Sequence, residues 1–210
     1  MAYQFLDTVS TPGVRAAQEA NGSRELWERF KGNRVSDRFT ENEAAFIAAR
    51  DSFFMATVSE TGWPYVQHRG GPPGFLKVLD DKTLGFADFR GNRQYISVGN
   101  IAANDRVALI LMDYPNRARL KILAHMSARE LAAEPDLAAR LAVPGYKAKP
   151  ERALLLRLET FDWNCSQHIL PRFTLAEIET AVAPLHGRIA VLEAENRALR
   201  AQLAGPTVAE

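Results

Sequence analysis

A basic loop follows an apolar run in the stretch FADFRGNRQYISVGN, residues 86–100. Where the apolar run ends, two cations, a glycine and an asparagine follow closely: Arg90, Gly91, Asn92 and Arg93. We expect Asn92 to cap a helix, which leaves the first-turn amides behind it free to bind an anion. The helix dipole and the two arginines favour the same ligand charge. The stretch therefore predicts an anion site, with a solvated surface loop as the alternative.

A second group of cations alternates with apolar residues in NRARLKILAH, residues 116–125. Because successive side chains of a strand point to opposite faces, Arg117, Arg119 and Lys121 are predicted to share one face. The alternative is an ordinary exposed face of a sheet.

A third group of polar residues precedes a flexible loop in VQHRGGPPG, residues 66–74. Gln67, His68 and Arg69 come before a loop with three glycines and two prolines. Such a loop suits the presentation of backbone groups to a flat ligand. His68 taken by itself is more often a packed or surface histidine than a ligand.

The elements that would position these groups are mostly strands. Seven segments are rich in aromatic and β-branched residues and are separated by turn signals: residues 52–59, 63–70, 75–79, 83–88, 106–114, 117–131 and 151–163. Helices are predicted at residues 23–31, at 40–50, from about 92 onward, and at 134–142.

The predicted helix starts rest on capping residues. Ser23 is expected to cap the first helix, and Thr40 and Glu43 have the spacing of a capping box. Pro135 stands near a first turn. Residues 1–22 are interpreted as an irregular arm.

Tight turns between most strands favour an antiparallel sheet that closes on itself, because a doubly wound sheet needs helices between its strands. We therefore predict a mainly β (α+β) protein, a small β-barrel with peripheral helices. Its expected domains are an N-terminal arm and helix at residues 1–39, the barrel at 40–173, and C-terminal helices at 174–210.

Composition limits the function. The chain has 210 residues, 47% of them hydrophobic, and a net charge of +1, so nothing indicates binding to nucleic acid or an anionic membrane. No apolar run is long enough to span a bilayer, and the N-terminal sequence lacks the regions of a signal peptide. One cysteine cannot form an internal disulfide, so we expect a cytoplasmic protein.

The tail carries a heptad pattern past Pro184, which is predicted to end a helix at residues 174–183. That helix begins with another capping box, formed by Thr174 and Glu177. The heptad has two mainly apolar positions, and leucine at one of them with a single asparagine at the other resembles a dimeric leucine zipper. The residues are Leu185, Leu192 and Leu199 at the first position and Ile189, Asn196 and Leu203 at the second. The alternative is a single amphipathic helix packed on its own barrel.

The order of the motifs resembles the pyridoxamine 5′-phosphate oxidase-like family of flavin-binding split barrels. The resemblance covers about residues 45–131, through FMATVSETGWPYVQHRGG, TLGFADFRGNRQYISVGNIAANDRVALILMDY and RLKILAHMSARE. It implies an antiparallel split β-barrel that binds FMN at a homodimer interface, so the anion would be the FMN phosphate. FMN is expected rather than FAD, because the basic loop would end the site and no glycine-rich dinucleotide motif follows a strand.

The resemblance also implies which residues hold the cofactor. Eight match the stretch beside the isoalloxazine and ribityl chain and the adjoining strand end: Gln67, His68, Arg69, Gly70, Gly71, Phe86, Ala87 and Asp88. Asn92, Arg93 and Gln94 match a phosphate triplet that reads Ser-Arg-Lys in the family. Because Gln94 replaces the lysine, one charge would come from Arg90 or Lys121.

The segment WNCSQHILPRF, residues 163–173, departs from the family pattern. True vitamin B6 oxidases hold the substrate phosphate with an Arg-x-His-like pattern that this segment does not reproduce, so a related flavin-dependent reaction is expected instead. We expect five further residues to border the flavin: Arg119, near a family glutamine position, and Trp163, Gln167, His168 and Arg172. No metal is predicted, because Cys165 and His168 are two ligands without a second pair.

Three functional hypotheses follow. The first is an FMN-dependent oxidoreductase that passes electrons between a reduced nicotinamide or deazaflavin donor and a small-molecule acceptor. His68 and His168 are its candidate proton-transfer groups by chemistry alone, and no catalytic residue is assigned. The second is a flavin- or haem-binding sensor, carrier or stress protein without turnover. The third is an interaction module with an empty barrel.

Overall fold

The computed structural model describes residues 4–29, 35–163 and 166–203. The chain forms two compact units, of which the first ends at Ile169 and the second begins at Leu170. This boundary lies close to residue 173, the predicted end of the barrel domain. In the described ranges, no helix combines the length and the apolar composition needed to cross a membrane.

The N-terminal segment contains two helices, so the prediction of an irregular arm is wrong. Helix α1 spans Gln4–Val9 and α2 spans Pro12–Ala20. The Thr11 hydroxyl accepts a hydrogen bond from the Val14 amide at the start of α2, and proline follows the cap. Gly22 comes after its end with a φ of 69°, which glycine adopts without strain. Threonine-proline and asparagine-glycine are recognised start and stop signals, and here they outweigh the polar composition.

The other helical elements described in the first unit are α3 (Arg24–Glu28), α4 (Glu41–Ala48), α5 (Ile96–Ala103), a 3₁₀ turn (Leu131–Ala133) and α6 (Pro135–Leu141). Ser23 stands at the N-cap position of α3 as predicted, but its hydroxyl makes no capping hydrogen bond and donates to the Gln18 carbonyl instead. The predicted cap at Asn92 is also wrong. Helix α5 begins after Tyr95, which has a left-handed φ of 51°.

Seven strands form one antiparallel sheet, and their ends differ by a residue or two from the predicted ones. They are β1 (Ser52–Val58), β2 (Pro64–Gly70), β3 (Lys77–Asp80), β4 (Thr83–Phe89), β5 (Arg106–Asp113), β6 (Ala118–Arg129) and β7 (Pro150–Trp163). Their order in the sheet is β2-β1-β5-β6-β7-β4-β3. The chain therefore has the predicted antiparallel split-barrel fold.

Contacts across the barrel interior show that the sheet is curled. Strands β2 and β4 are far apart in the sheet order, yet Arg69 Nη1 on β2 lies 2.6 Å from Asp88 Oδ1 on β4. Phe53 of β1 packs edge to face on Phe86 of β4, with ring centroids 5.4 Å apart. A flat sheet would hold these pairs several strand spacings apart, at about 4.8 Å per strand. The interior of the barrel is the hydrophobic core.

Asp88 pairs with two arginines at the edge of this core. Besides Arg69, the Arg152 Nε atom lies 3.5 Å from Asp88 Oδ2. The Asp88 side chain is 8% exposed and those of Arg69 and Arg152 are 15% and 20% exposed. Removing the carboxylate would leave the largely buried Arg69 guanidinium without this counter-charge, which costs far more than losing a surface pair. It would also remove a carboxylate from Arg152, which keeps its ion pair with Glu151 at 3.5 Å.

We predict that Asp88→Asn, which keeps the shape and removes the charge, lowers the free energy of unfolding by about 3 kcal/mol. Asp81→Asn is the matched control, because Asp81 pairs with Arg38 at 3.6 Å and both side chains are more than half exposed. The control should cost about 0.5 kcal/mol or less. Urea denaturation of both variants measures the difference, and equal losses would contradict the role given to Asp88.

Glu43 joins α4 to the far end of β7. The predicted capping box of Thr40 and Glu43 is confirmed, with the Thr40 amide donating to the Glu43 carboxylate at 3.0 Å. The same carboxylate accepts a 2.7 Å hydrogen bond from the Trp163 indole. Burial acts to raise the pKa of Glu43, but hydrogen bonds from Thr40, Trp163 and Asn42 outweigh it and leave the pKa below the ordinary value.

Because the pKa of Glu43 is lowered by folding, its contribution to stability is complete above the ordinary glutamate pKa of 4.5 and is lost as the pH falls through the folded-state value. We predict that Glu43→Gln lowers the free energy of unfolding at pH 7 and that the deficit shrinks below about pH 4.5. Glu41→Gln removes a carboxylate from the same turn and controls for the helix dipole. Chemical denaturation between pH 7 and pH 3 measures both, and a deficit that does not change with pH would refute the prediction.

The second unit contains one long helix, α7, which spans Leu175–Leu203. The capping box that precedes it is confirmed, because the Thr174 amide donates to the Glu177 carboxylate at 2.7 Å and the Glu177 amide donates to the Thr174 hydroxyl at 3.2 Å. The prediction that Pro184 ends this helix is wrong, since the helix continues through it. The alanine, leucine, glutamate and arginine residues around Pro184 favour helix strongly enough to offset its missing amide.

Candidate functional site

The basic loop between β4 and α5 is held by its own side chains and backbone. Asn92 Oδ1 accepts a hydrogen bond from the Gln94 amide at 3.2 Å, so Asn92 shapes the loop instead of capping the helix. Arg93 and Tyr95 have left-handed φ values of 63° and 51°. Non-glycine residues in this region carry strain that the surrounding structure must hold, and such residues concentrate at binding sites.

This loop borders a cleft of about 190 Å³, which we call the anion cleft. Its residues come from β2, the end of β4, the basic loop, the first turn of α5 and the start of β7: Tyr65, Gln67, Arg69, Asp88, Phe89, Gly91, Asn92, Arg93, Gln94, Tyr95, Ile96, Ser97, Val98 and Glu151. Ile96, Ser97 and Val98 begin α5, and amides of a first turn lack partners within the helix. The cleft thus combines a helix N-terminus with arginine side chains, as an anion requires.

Cations outnumber carboxylates around the anion cleft. Arg69, Arg90, Arg93 and Arg152 lie in or beside it, whereas the nearby carboxylates are Asp88 and Glu151. The Glu151 carboxylate is 3.2 Å from Arg90 Nε and offsets the charge of that arginine, whereas Arg93 is an exposed cation that lines the cleft. A hydrogen bond with Tyr95 raises the pKa of Arg93, so its guanidinium stays charged.

Arg69 and Arg152 each have a buried side-chain donor that makes no hydrogen bond to the described residues. Within the described part of the chain, the Nε atoms of Arg69 and Arg152 are buried and have no hydrogen-bond acceptor. Arg152 also stacks on the Tyr95 ring, with its guanidinium carbon 4.9 Å from the ring centroid. Unsatisfied buried donors carry a free-energy cost, and a ligand acceptor near Arg69 would remove part of it. The residues present therefore fit an anionic group.

A second cleft, of about 160 Å³, adjoins the first, and we call it the glycine cleft. It is lined by Gln67, His68, Arg69, Gly70, Phe75, Phe86, Ala87 and Phe89. Gln67, Arg69 and Phe89 line both clefts, so the two clefts are neighbours along β2. Gln67 Oε1 accepts a 3.3 Å hydrogen bond from the Ser97 hydroxyl, which joins β2 to α5.

Two predicted residues of this region have structural roles as well. His68 points to the opposite face of β2 from Gln67 and Arg69, and its ring contacts Phe54 with centroids 5.4 Å apart. A Cβ added at Gly71 would lie 2.8 Å from Phe75 Cγ, so the loop needs glycine there for packing.

The three cations of residues 116–125, Arg117, Arg119 and Lys121, do not line either cleft. Arg117 precedes β6 and has a φ of 51°, so the prediction that it shares a strand face with Arg119 and Lys121 is wrong. Arg119 and Lys121 do share the less buried face of β6. Lys121 pairs with Asp162 at 3.0 Å, as Arg90 pairs with Glu151, so both candidate replacements for the family lysine have carboxylate partners.

Trp163, Gln167 and His168 do not line either cleft. Trp163 is 12 positions from Glu151 on the same strand, or about 40 Å along it. Gln167 and His168 are exposed in the loop that follows, and Arg172 belongs to the second unit. Cys165 lies outside the described residues.

Seven residues that line the anion cleft were not predicted from the sequence: Tyr65, Phe89, Tyr95, Ile96, Ser97, Val98 and Glu151. Tyr65 could have been found from strand alternation, because it shares a face of β2 with Gln67 and Arg69. Ser97 would have been found if the start of α5 had been predicted correctly, at Ile96. Glu151 reaches the cleft through the pairing of β4 with β7, which local sequence does not indicate.

A family model and several solved structures match the chain. A family model described as "Pyridoxamine 5′-phosphate oxidase" matches residues 39–162, which is more than half of the chain and contains both clefts. The chain belongs to this family. No curated protein matches it.

Several solved structures resemble the chain. A candidate pyridoxamine 5′-phosphate oxidase from Lactobacillus delbrueckii is 22% identical, with 60% of this chain and 95% of that chain covered and a TM-score of 0.46. HupZ from Group A Streptococcus is 16% identical, with 64% and 99% covered and a TM-score of 0.45. An FMN-binding protein from Syntrophomonas wolfei is 17% identical, with 73% and 95% covered and a TM-score of 0.43.

Proposed function

We propose that the protein is an FMN-binding oxidoreductase that passes electrons between a reduced nicotinamide or deazaflavin donor and a small-molecule acceptor. The observation that carries the proposal is the anion cleft, where Arg93, Arg69 and the first turn of α5 converge on one space. Membership of the family supports a flavin as the ligand. The single cysteine keeps the cytoplasm as the expected compartment.

The phosphate of FMN would occupy the anion cleft. Arg93 would make a charge-assisted contact, and the amides at the start of α5 would donate hydrogen bonds along the helix dipole. Arg69 would turn its spare Nε donor to the ligand while its Nη1 atom stays on Asp88. Because Gln94 is neutral, Arg93 would carry most of the exposed charge.

The flavin ring and ribityl chain would lie along the glycine cleft. Gly70, Phe86 and Ala87 would form its floor, and Gln67 would offer an amide to polar atoms of the ligand. Bound FMN accepts a hydride and passes electrons on singly or in pairs. The arginine excess of this region would stabilise negative charge on the ligand.

A homodimer would bring the remaining predicted residues to the cofactor. Trp163 and Lys121 are too far along their strands to meet the anion cleft of their own chain, so only those of a second copy could border the flavin. Apolar residues on the outward faces of β1, β2 and β5 offer a surface for that copy. They are adjacent in the strand register and partly or fully exposed: Phe54, Ala56, Val66, Ala108 and Ile110.

The reaction is proposed to differ from pyridoxamine phosphate oxidation, because the segment after β7 lacks the substrate-phosphate pattern. A second candidate is a flavin-binding carrier or sensor without turnover. It is favoured by the carboxylates that line the anion cleft, since Asp88 and Glu151 are both held in ion pairs with arginine and neither is placed as a general base. Anaerobic reduction of the bound flavin by nicotinamide and deazaflavin donors, followed by reoxidation with candidate acceptors, distinguishes the two.

We predict that Arg93→Ala raises the dissociation constant of FMN by roughly tenfold or more, because a contact between a charged donor and phosphate is lost. Arg117→Ala is the matched control, since Arg117 is also an arginine with a left-handed φ and lies outside the anion cleft. The control should bind FMN with less than about a threefold change. Quenching of flavin fluorescence measures both constants. Equal weakening in the two variants would contradict the assignment of the phosphate site.

A further inference from the structure

Helix α7 exposes an apolar stripe along its whole length. The helix has 29 residues and none of them is buried. Apart from the half-buried Val182, its large apolar residues are exposed to solvent, with fractions that range from 45% at Leu192 to 87% at Leu203. An isolated helix of this kind is marginally stable in water, and such a stripe in a soluble protein usually meets a partner.

The stripe follows a strict heptad repeat. Because α7 continues through Pro184, the repeat extends upstream of the segment in which the sequence first shows it. The first seam position, a, is occupied by Leu175, Val182, Ile189, Asn196 and Leu203. The second, d, is occupied by Ile178, Leu185, Leu192 and Leu199. Pro184 and Gly187 fall at positions c and f, away from the seam.

From this pattern we infer that α7 forms a parallel, in-register, two-stranded coiled coil with α7 of a second copy of the chain. β-branched residues at a, here Val182 and Ile189, together with leucine at d favour two strands over three or four. Asn196 at a supports the same register, because in a parallel pair its amide faces the amide of the second copy. In an antiparallel pair position a faces position d, and Asn196 would be buried against a leucine without a partner.

Charged residues flank the a and d positions of α7, and they match opposite charges on a second copy of the helix. In a parallel coiled coil, position g of one helix faces position e of the next heptad on the other helix. Arg188 at g would face Glu193 of the second copy, and Glu195 at g would face Arg200 of the second copy. Both pairs are attractive, and each occurs twice by symmetry. This charge complementarity identifies the occupant of the stripe as another copy of α7.

The coiled coil is independent of the flavin site, since every residue that forms it belongs to the second unit. Its test is a cysteine placed in α7 of the full-length chain, with Cys165→Ser to remove the native thiol. Ile189→Cys puts the thiol at position a, where a parallel in-register pair holds two copies of it within disulfide reach. Ala190→Cys puts it at the outer position b of the neighbouring residue and is the matched control.

We expect Ile189→Cys to form a covalent dimer in a glutathione redox buffer at least about tenfold more completely than Ala190→Cys. Non-reducing gel electrophoresis measures this, and flavin content measured in parallel should not change. A helix that stays single would leave the two variants equally uncross-linked and would overturn the inference. Because Ile189 is the midpoint of α7, an antiparallel pair is tested with Leu199→Cys at position d against Ala198→Cys at the outer position c, and equal cross-linking of these two would also overturn the inference. Loss of flavin with intact cross-linking would count against the flavin proposal alone.

Charge reversal then tests the pairing of e and g positions. In the Ile189→Cys background, Arg188→Glu with Arg200→Glu makes all four flanking positions acidic, and Glu193→Arg with Glu195→Arg makes all four basic. Each variant alone should lose most of its cross-linking at low salt, because like charges face each other, and an equal mixture should regain it. Cross-linking that is unchanged in the separate variants, or that does not return in the mixture, would refute the parallel register.

Discussion

The ion pair between Arg69 and Asp88 is the constraint on which the geometry of the site depends. It joins the edge strand β2 to β4 across the interior, so the curl of the sheet and the position of β2 are set together. Both clefts lie along β2 and use Arg69 as a wall. Breaking this ion pair would therefore disturb both the barrel and the candidate binding site.

Asp88 also connects the barrel to the strained loop. It pairs with Arg152, which stacks on Tyr95, and Tyr95 holds a left-handed conformation at the start of α5. The Tyr95 hydroxyl donates to Glu151 at 3.3 Å. Two consecutive residues of β7, Glu151 and Arg152, therefore contact Tyr95 and fix the loop to that strand. These contacts can offset the strain at Tyr95 and Arg93, which costs about 1–3 kcal/mol for each such residue. The anion cleft is therefore preorganised by the barrel, with its cation already turned toward the ligand space.

Local patterns predicted most of the elements and part of the site. Runs rich in aromatic and β-branched residues, separated by turn signals, located the seven strands. The capping boxes at Thr40 and Thr174 were confirmed because their hydrogen bonds are formed within one helical turn. The basic loop was recognised from residue types alone. Its details were not, because Asn92 is an equally good helix cap and loop residue, and the left-handed Tyr95 depends on partners in β7.

The differences between the expectations and the structure have separate physical origins. Trp163 was expected to border the flavin, and within its own chain it donates to Glu43, 120 residues away, a contact that local sequence does not indicate. Pro184 was taken to end a helix because proline usually does, yet helix formers on both sides outweigh it. Arg117 fits the alternation of a strand but lies in the turn before β6, where the Arg117 amide donates to the Tyr114 carbonyl.

The central claim is that the anion cleft holds the phosphate of FMN, and a comparison of FMN with riboflavin tests it most directly. The two ligands share the ring and the ribityl chain and differ in the phosphate alone. Isothermal titration of the flavin-free protein should give a dissociation constant for riboflavin at least about 100-fold above that for FMN, as expected for the loss of two charge-assisted contacts. Equal affinities for the two ligands would contradict the account.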